Sequence, residues 1–83
     1  MITNSDLEKI LLNNPEVEHA HVTGDGYKFQ ILIVSNGFEG KAKVARQQWV
    51  YKQLNAFILN GELHAVTMQT LTLKEWRERE NHG

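Results

Sequence analysis

Leu7, Ile10 and Leu11 recur at helical spacing and predict a first helix with one apolar face. Ser5-Asp6-Leu7-Glu8 ahead of them reads as a capping box, a hydroxyl followed three residues later by a carboxylate. Asn13-Asn14-Pro15 ends the helix, because Pro15 disfavours the α region for Asn14. Glu18 to Thr23 then alternates, with Ala20 and Val22 on one side and His19 and His21 on the other, and predicts a strand. Gly24-Asp25-Gly26 supplies a turn, and Phe29 to Val34 is a second, nearly continuous apolar strand, so the two form a hairpin.

After Ser35-Asn36-Gly37 the period becomes helical again, from roughly Lys41 to Leu59. Val44, Tyr51, Leu54 and Ile58 make its predicted buried stripe, widened by Val50 and Phe57. Trp49 does not fit that stripe well and, if exposed, is a candidate interface anchor. Asn60-Gly61 reads as a helix C-cap. His64 to Leu71 alternates as a third strand, and Thr72-Leu73-Lys74-Glu75 is a second capping box, opening a last helix through Trp76 toward Arg79. The order α-β-β-α-β-α predicts a single two-layer α+β domain over 1–83, a three-stranded sheet covered by helices on one face. Its core spans about 5–79, with a frayed tail at 80–83. The long helix between the second and third strands allows those two to pair in parallel.

At 83 residues the chain buries only ~60–65% of its extended surface, enough for one small core. No run approaches the ~18–20 apolar residues that cross a bilayer, and the N-terminus lacks a basic stretch and an apolar signal region. Neither membrane association nor export is therefore expected, and the location expected is cytoplasmic. The chain has no cysteine, which excludes disulfides, zinc fingers and an iron–sulfur cluster held on its own thiolates. The net charge of −1 lacks the basic excess of a dedicated nucleic-acid binder.

Four groups of residues bear on chemistry. His64, at the start of the third strand, reads from its own context as a structural histidine packed at a strand end, with metal ligation the alternative. His19 and His21, two apart on one strand face, read as a solvated face, with zinc or copper chelation the alternative. Lys41, Lys43 and Arg46 cluster at the start of the long helix, where cations oppose the macrodipole by up to ~1 kcal/mol. Either they form a solvated face or an anion recruits them: a DNA phosphate, a carboxylate ligand or an acidic partner. Gly37-Phe38-Glu39-Gly40 matches the G-x-x-G loop of KH nucleic-acid domains, but Glu39 puts an anion where phosphate would bind. The plainer reading is that Phe38 anchors the loop and Gly40 turns it. Ser5 and Ser35 lie in no nucleophile context, so no enzyme is expected.

Leu63-His64-Ala65-Val66, Thr72-Leu73-Lys74-Glu75-Trp76 and Phe38-Glu39-Gly40 together resemble the BolA-like family. Arg46-Gln47-Gln48, where much of that family has Arg-His-Arg, is similar to its short YrbA/IbaG-type branch. The resemblance implies a class II KH-like fold. It also implies an adaptor that forms a heterodimer with a monothiol glutaredoxin and shares or transfers a two-iron two-sulfur cluster, in iron–sulfur homeostasis and stress response. In that complex His64 would be a cluster ligand, and the partner would bring a cysteine and bound glutathione. Imidazole is an accepted ligand of such clusters. The isolated chain is then a monomer without a cofactor. The family carries a histidine or cysteine before the aromatic that opens the second strand; here Lys28 stands there, and an ammonium offers no lone pair. His21 is the candidate to compensate. The family is also ascribed DNA-binding transcription regulation, which gives the alternative function, carried by the long helix with Lys41, Lys43 and Arg46 and with Trp49 as partner contact.

Overall fold

The computed structural model describes residues 2–61, 63 and 65–82, the side chain of His82 excepted. The elements are α1 (Asn4–Leu12), β1 (Val17–Gly24), β2 (Lys28–Ser35), a short 3-10 turn η1 (Asn36–Phe38), α2 (Lys43–Leu59), β3 (Ala65–Leu71) and α3 (Leu73–His82). The expected element order is present. The sheet runs β1-β2-β3, with β1 antiparallel and β3 parallel to β2. The central position of β2 explains its near-continuous apolar character over Ile31–Val34, where its second face becomes progressively covered, while Lys28 and Gln30 remain exposed.

α1 starts earlier than the sequence pattern suggested. Its cap is Thr3, whose Oγ1 accepts from Asp6 N–H at 3.0 Å while Asp6 Oδ2 accepts from Thr3 N–H at 3.0 Å. The Ser5/Glu8 spacing is a box in sequence only. Starting at Thr3 lets Ile2 and Leu7 both bury, a staple across the first turn that the later start would forfeit. Glu8 is thereby released to accept from Val22 N–H on β1 at 2.8 Å, satisfying a donor on an edge strand.

β1 carries an irregularity between Val17 and His19, which lets Val17 reach the core outside the alternation read from Glu18 onward. Val22, Ile31 and Met68 lie in register, as do Ala20, Ile33 and Thr70. With Phe29 and Val66 they form the sheet face that packs with Leu7 and Leu11 of α1 and Val50 and Leu54 of α2.

The buried arc of α2 keeps most of the predicted stripe but not all of it. Val50 and Leu54 are fully buried and Trp49, Phe57 and Ile58 pack against the core, whereas Val44 and Tyr51 face solvent. Trp49 is therefore not a free anchor: it stands edge-on to the buried Phe38 ring, centroids 5.6 Å apart at 87°. The arc retains Val50, Leu54, Phe57 and Ile58 and is rotated to take in Trp49, which Phe38 receives, at the expense of Val44 and Tyr51. Asn60 ends the helix and Gly61, at φ +83°, turns the chain.

α3 departs from one-sided cover. The Trp76 ring lies 5.6 Å from that of His19, and Arg79 Nη1 donates to Gln69 Oε1 at 2.7 Å; both contacts are on the face opposite α1 and α2. α3 also continues past Arg79 through His82, so Asn81 and His82 are helical rather than a frayed tail. The Lys, Glu and Arg residues of this segment are strong helix formers. Gly83 lies outside the described residues.

Candidate functional site

The β1–β2 turn is built by Asp25. Its Oδ1 accepts from the N–H groups of Tyr27 and Lys28, both at 2.9 Å. These backbone donors, Lys28 first, hold its carboxyl below the usual range. Gly26 takes φ +92°, and a Cβ on Gly24 would come within 2.3 Å of Lys28 O, so both glycines are required. The turn fixes where β2 begins, and Lys28 then pairs with Ala65, the first residue of β3. The turn end of the sheet thus joins the two segments that the sequence singled out. His64, adjacent to Ala65 in the chain, lies outside the described residues.

His21 is not brought to this end. It pairs with Leu32, four residues along β2 from Lys28 and about 13 Å away at the strand rise. Its Nδ1 lies 3.5 Å from Glu8 Oε2, with the side chain 70% exposed. The two-residue alternation places His21 on a shared face with Lys28, but no bend of β1 closes the gap. His19 is also separate, its ring against Trp76. No group of three histidine, cysteine or acidic residues able to hold a metal occurs among the described residues.

Between the turn end and α3, the second sheet face is open. Thr23, Gln30, Thr67, Gln69, His21 and Arg79 border a depression of about 390 Å³. Ile31, Leu32 and Met68 complete its lining, which is more apolar than polar.

The basic cluster does not stay together. Lys41 and Lys43 are exposed, but Arg46 is turned inward, its side chain 12% exposed. Arg46 Nη1 donates to Thr70 O at 3.0 Å and to Glu75 Oε1 at 2.7 Å, and Nε donates to Lys41 O at 2.9 Å. Its guanidinium also lies 5.9 Å over the Phe38 ring. Glu75 Oε1 in turn accepts from Thr72 N–H at 2.8 Å and Thr72 Oγ1 accepts from Glu75 N–H at 3.1 Å, the expected capping box of α3. The Arg46 hydrogen bond, then the Thr72 backbone, hold the Glu75 carboxyl below its ordinary value. Arg46 therefore joins α2, β3 and α3 and is withdrawn from any surface patch. The capping box was legible in sequence; its ion pair with a residue 29 positions away was not. Phe38, buried, and Gly40, at φ +76°, use the G-x-x-G segment for packing and turning.

A hairpin, a long return helix, a parallel third strand and a last helix on the opposite face define a small α+β domain of BolA fold, whose candidate chemistry lies at open strand ends. The chain belongs to the BolA-like family: the family model described as BolA-like protein matches residues 6–75. An uncharacterized protein in the rpoN-murA intergenic region of Acinetobacter guillouiae is 49% identical over 69 residues, 83% of this chain and 82% of the relative. The acid stress protein IbaG of Escherichia coli (strain K12) is 36% identical over 81 residues, 96% of each chain. The structure of a bol-like protein from Babesia bovis superimposes with a TM-score of 0.81 at 32% identity, covering 96% of this chain and 95% of that one. No helix among the described residues is long and apolar enough to cross a membrane.

Proposed function

We propose that this protein is a stress-response adaptor that binds a monothiol glutaredoxin and shares a two-iron two-sulfur cluster with it. The observation that carries the reading is the pairing of Lys28 with Ala65, which sets the turn ahead of β2 beside the strand that His64 precedes in sequence. The resemblance implies that this pair of segments supplies cluster ligands.

The donor set suits a shared cluster and not a resident one. The chain has no cysteine, Lys28 has no lone pair, and the described residues hold no three-ligand group. His64 is then the one residue of this chain proposed as ligand, and the thiolates come from the glutaredoxin cysteine and glutathione. Imidazole ligation supplies such a cluster with a higher reduction potential than thiolate alone. His21, about 13 Å along the sheet from the turn end, is not retained as a ligand in this reading. The relative named as an acid stress protein supports the stress role.

The test mixes the protein with cluster-loaded monothiol glutaredoxin and records visible absorption and circular dichroism. A mixed spectrum distinct from that of glutaredoxin alone, and lost in His64→Ala, is expected. A mixed spectrum unchanged by His64→Ala in a folded variant overturns the ligand assignment. The rival reading, DNA binding through the long helix, loses one of its three cations to Glu75.

A further inference from the structure

Val44 and Tyr51, which the sequence pattern placed in the core, face solvent and belong to a surface row of α2 whose last member, Ile58, borders the core. Val44, Gln48, Tyr51, Asn55 and Ile58 follow one another along α2 at alternating steps of four and three residues. That spacing is the seam by which one helix docks another. Val44 is 64% and Tyr51 41% exposed, and Leu59, beside the end of the row, is 77% exposed. Tyr51, Asn55 and Ile58, with Gln48 and Lys52, line an open groove of about 620 Å³. The adjoining side of the same helix is buried in the core through Val50 and Leu54, so Val44, Tyr51 and Leu59 are left as uncovered apolar side chains beside it.

The charge around the row selects its occupant. From Gly40 to Gly61 the chain has no acidic residue, while Lys41, Lys43 and Lys52 are exposed. Among the described residues no carboxylate lies within ion-pair distance of Lys43 or Lys52, and the neighbouring Arg46 already has Glu75. We infer that this outer face of α2 is a docking surface for an amphipathic helix of another protein, apolar along its seam and acidic on its flanks. A second copy of this chain fits less well. An antiparallel pair centred on Tyr51 would match Val44 with Ile58 but set Lys52 beside its own copy, with no acid on either helix. Duplex DNA has no use for Val44 and Leu59. The inference is independent of the cluster reading, and its test uses the isolated protein.

The probes are two synthetic helical peptides of one apolar seam, one flanked by glutamate and one by lysine, titrated by fluorescence anisotropy and by amide shifts of labelled protein. The acidic peptide should bind at least about tenfold more tightly than the basic one, the equivalent of a few exposed ion pairs. Its shifts should centre on Gln48, Tyr51, Lys52 and Asn55. Tyr51→Glu, at an exposed position that leaves the fold intact by circular dichroism, should abolish binding. Lys52→Glu should reduce or reverse the charge preference. Equal affinity for both peptides, no binding of either, or shifts centred off α2 would each overturn the inference. So would a dimer in sedimentation that Tyr51→Glu dissolves, or row shifts produced by duplex DNA or phosphatidylserine vesicles and not by the peptide.

Discussion

The Arg46 guanidinium meets the Glu75 carboxylate at 2.7 Å, and through that contact α2 holds both the exposed edge of β3 and the cap of α3. Arg46→Ala deletes donors to Thr70, Lys41 and Glu75 together, and should cost about 1–3 kcal/mol. Glu75→Gln keeps an oxygen for the Thr72 N–H and should cost less than Arg46→Ala. Because Glu75 is 43% exposed, a double-mutant cycle should give a coupling of only about 0.5–1 kcal/mol. Urea denaturation of the two single variants and the double variant checks this. Additive losses would show that the pair acts only through its separate backbone contacts.

The same pair sets a pH dependence. Glu75 is held below its ordinary value of 4.5 in the folded protein, first by Arg46. A depressed carboxyl contributes stability that is present above its unfolded value and is lost as pH falls through the folded one. Thermal unfolding should therefore show stability falling below about pH 4.5, and the fall should be shallower in Glu75→Gln. Asp6 and Asp25, both lowered by backbone hydrogen bonds, titrate in the same direction and leave a residual slope in that variant. Parallel wild-type and Glu75→Gln curves across this range would remove Glu75 from the account.

Lys28→His tests the turn end of the sheet. It places an imidazole opposite Ala65 at a position already exposed, so stability should change by no more than about 0.5 kcal/mol. Under the shared-cluster proposal the variant should strengthen the mixed complex with cluster-loaded glutaredoxin, read as slower loss of the visible dichroism on dilution. His21→Ala, about 13 Å along the sheet, should leave that spectrum unchanged. A larger effect from His21 than from Lys28 would invert the ligand geometry proposed here.

Leu54→Ala and Val44→Ala separate the two sides of α2. Leu54 is fully buried, and its truncation should cost about 2–5 kcal/mol. Val44 is 64% exposed, and its truncation should stay within about 0.5 kcal/mol. Comparable losses in chemical denaturation would mean that the helix face assigned to the core is wrong.

If duplex DNA binds through the long helix, the available cations are Lys41, Lys43 and Lys52, since Arg46 is engaged. The log–log salt slope should then be about −2 to −3. Arg46→Gln should lower the unfolding temperature without flattening that slope, whereas Lys41→Gln with Lys43→Gln should flatten it. A slope that responds to Arg46 alone would place the guanidinium at the surface.

Much of this fold is written in local pattern. The alternation of Ala20 and Val22 against His19 and His21, the Gly24-Asp25-Gly26 turn, the Asn60-Gly61 cap and the Thr72/Glu75 box all act over a few residues, and each appears where its pattern lies. What was not legible depends on contacts made across the chain. Thr3 rather than Ser5 caps α1 because Ile2 can then bury with Leu7. Trp49 faces inward because Phe38 is there to receive it. Arg46 leaves the basic cluster because Glu75 and Thr70 arrive from elements 24 to 29 positions later. At the candidate site, the sequence located the Lys28 and His64 segments, while the distance that separates His21 from them follows only from strand register.

The parallel pairing of Lys28 with Ala65 also imposes an order of assembly. β1 and β2 are joined by a tight turn and can zip together without help from the rest of the chain. β3 can add only after η1 and α2 have carried the backbone past the sheet and returned it, which defers the pairing behind a long loop closure. Arg46 rides on that returning segment, so its bonds to Thr70 and Glu75 lock a strand that has just arrived. The β3 edge of the sheet, whose first residue follows His64 in the chain, is thus expected to pair later than the β1–β2 hairpin.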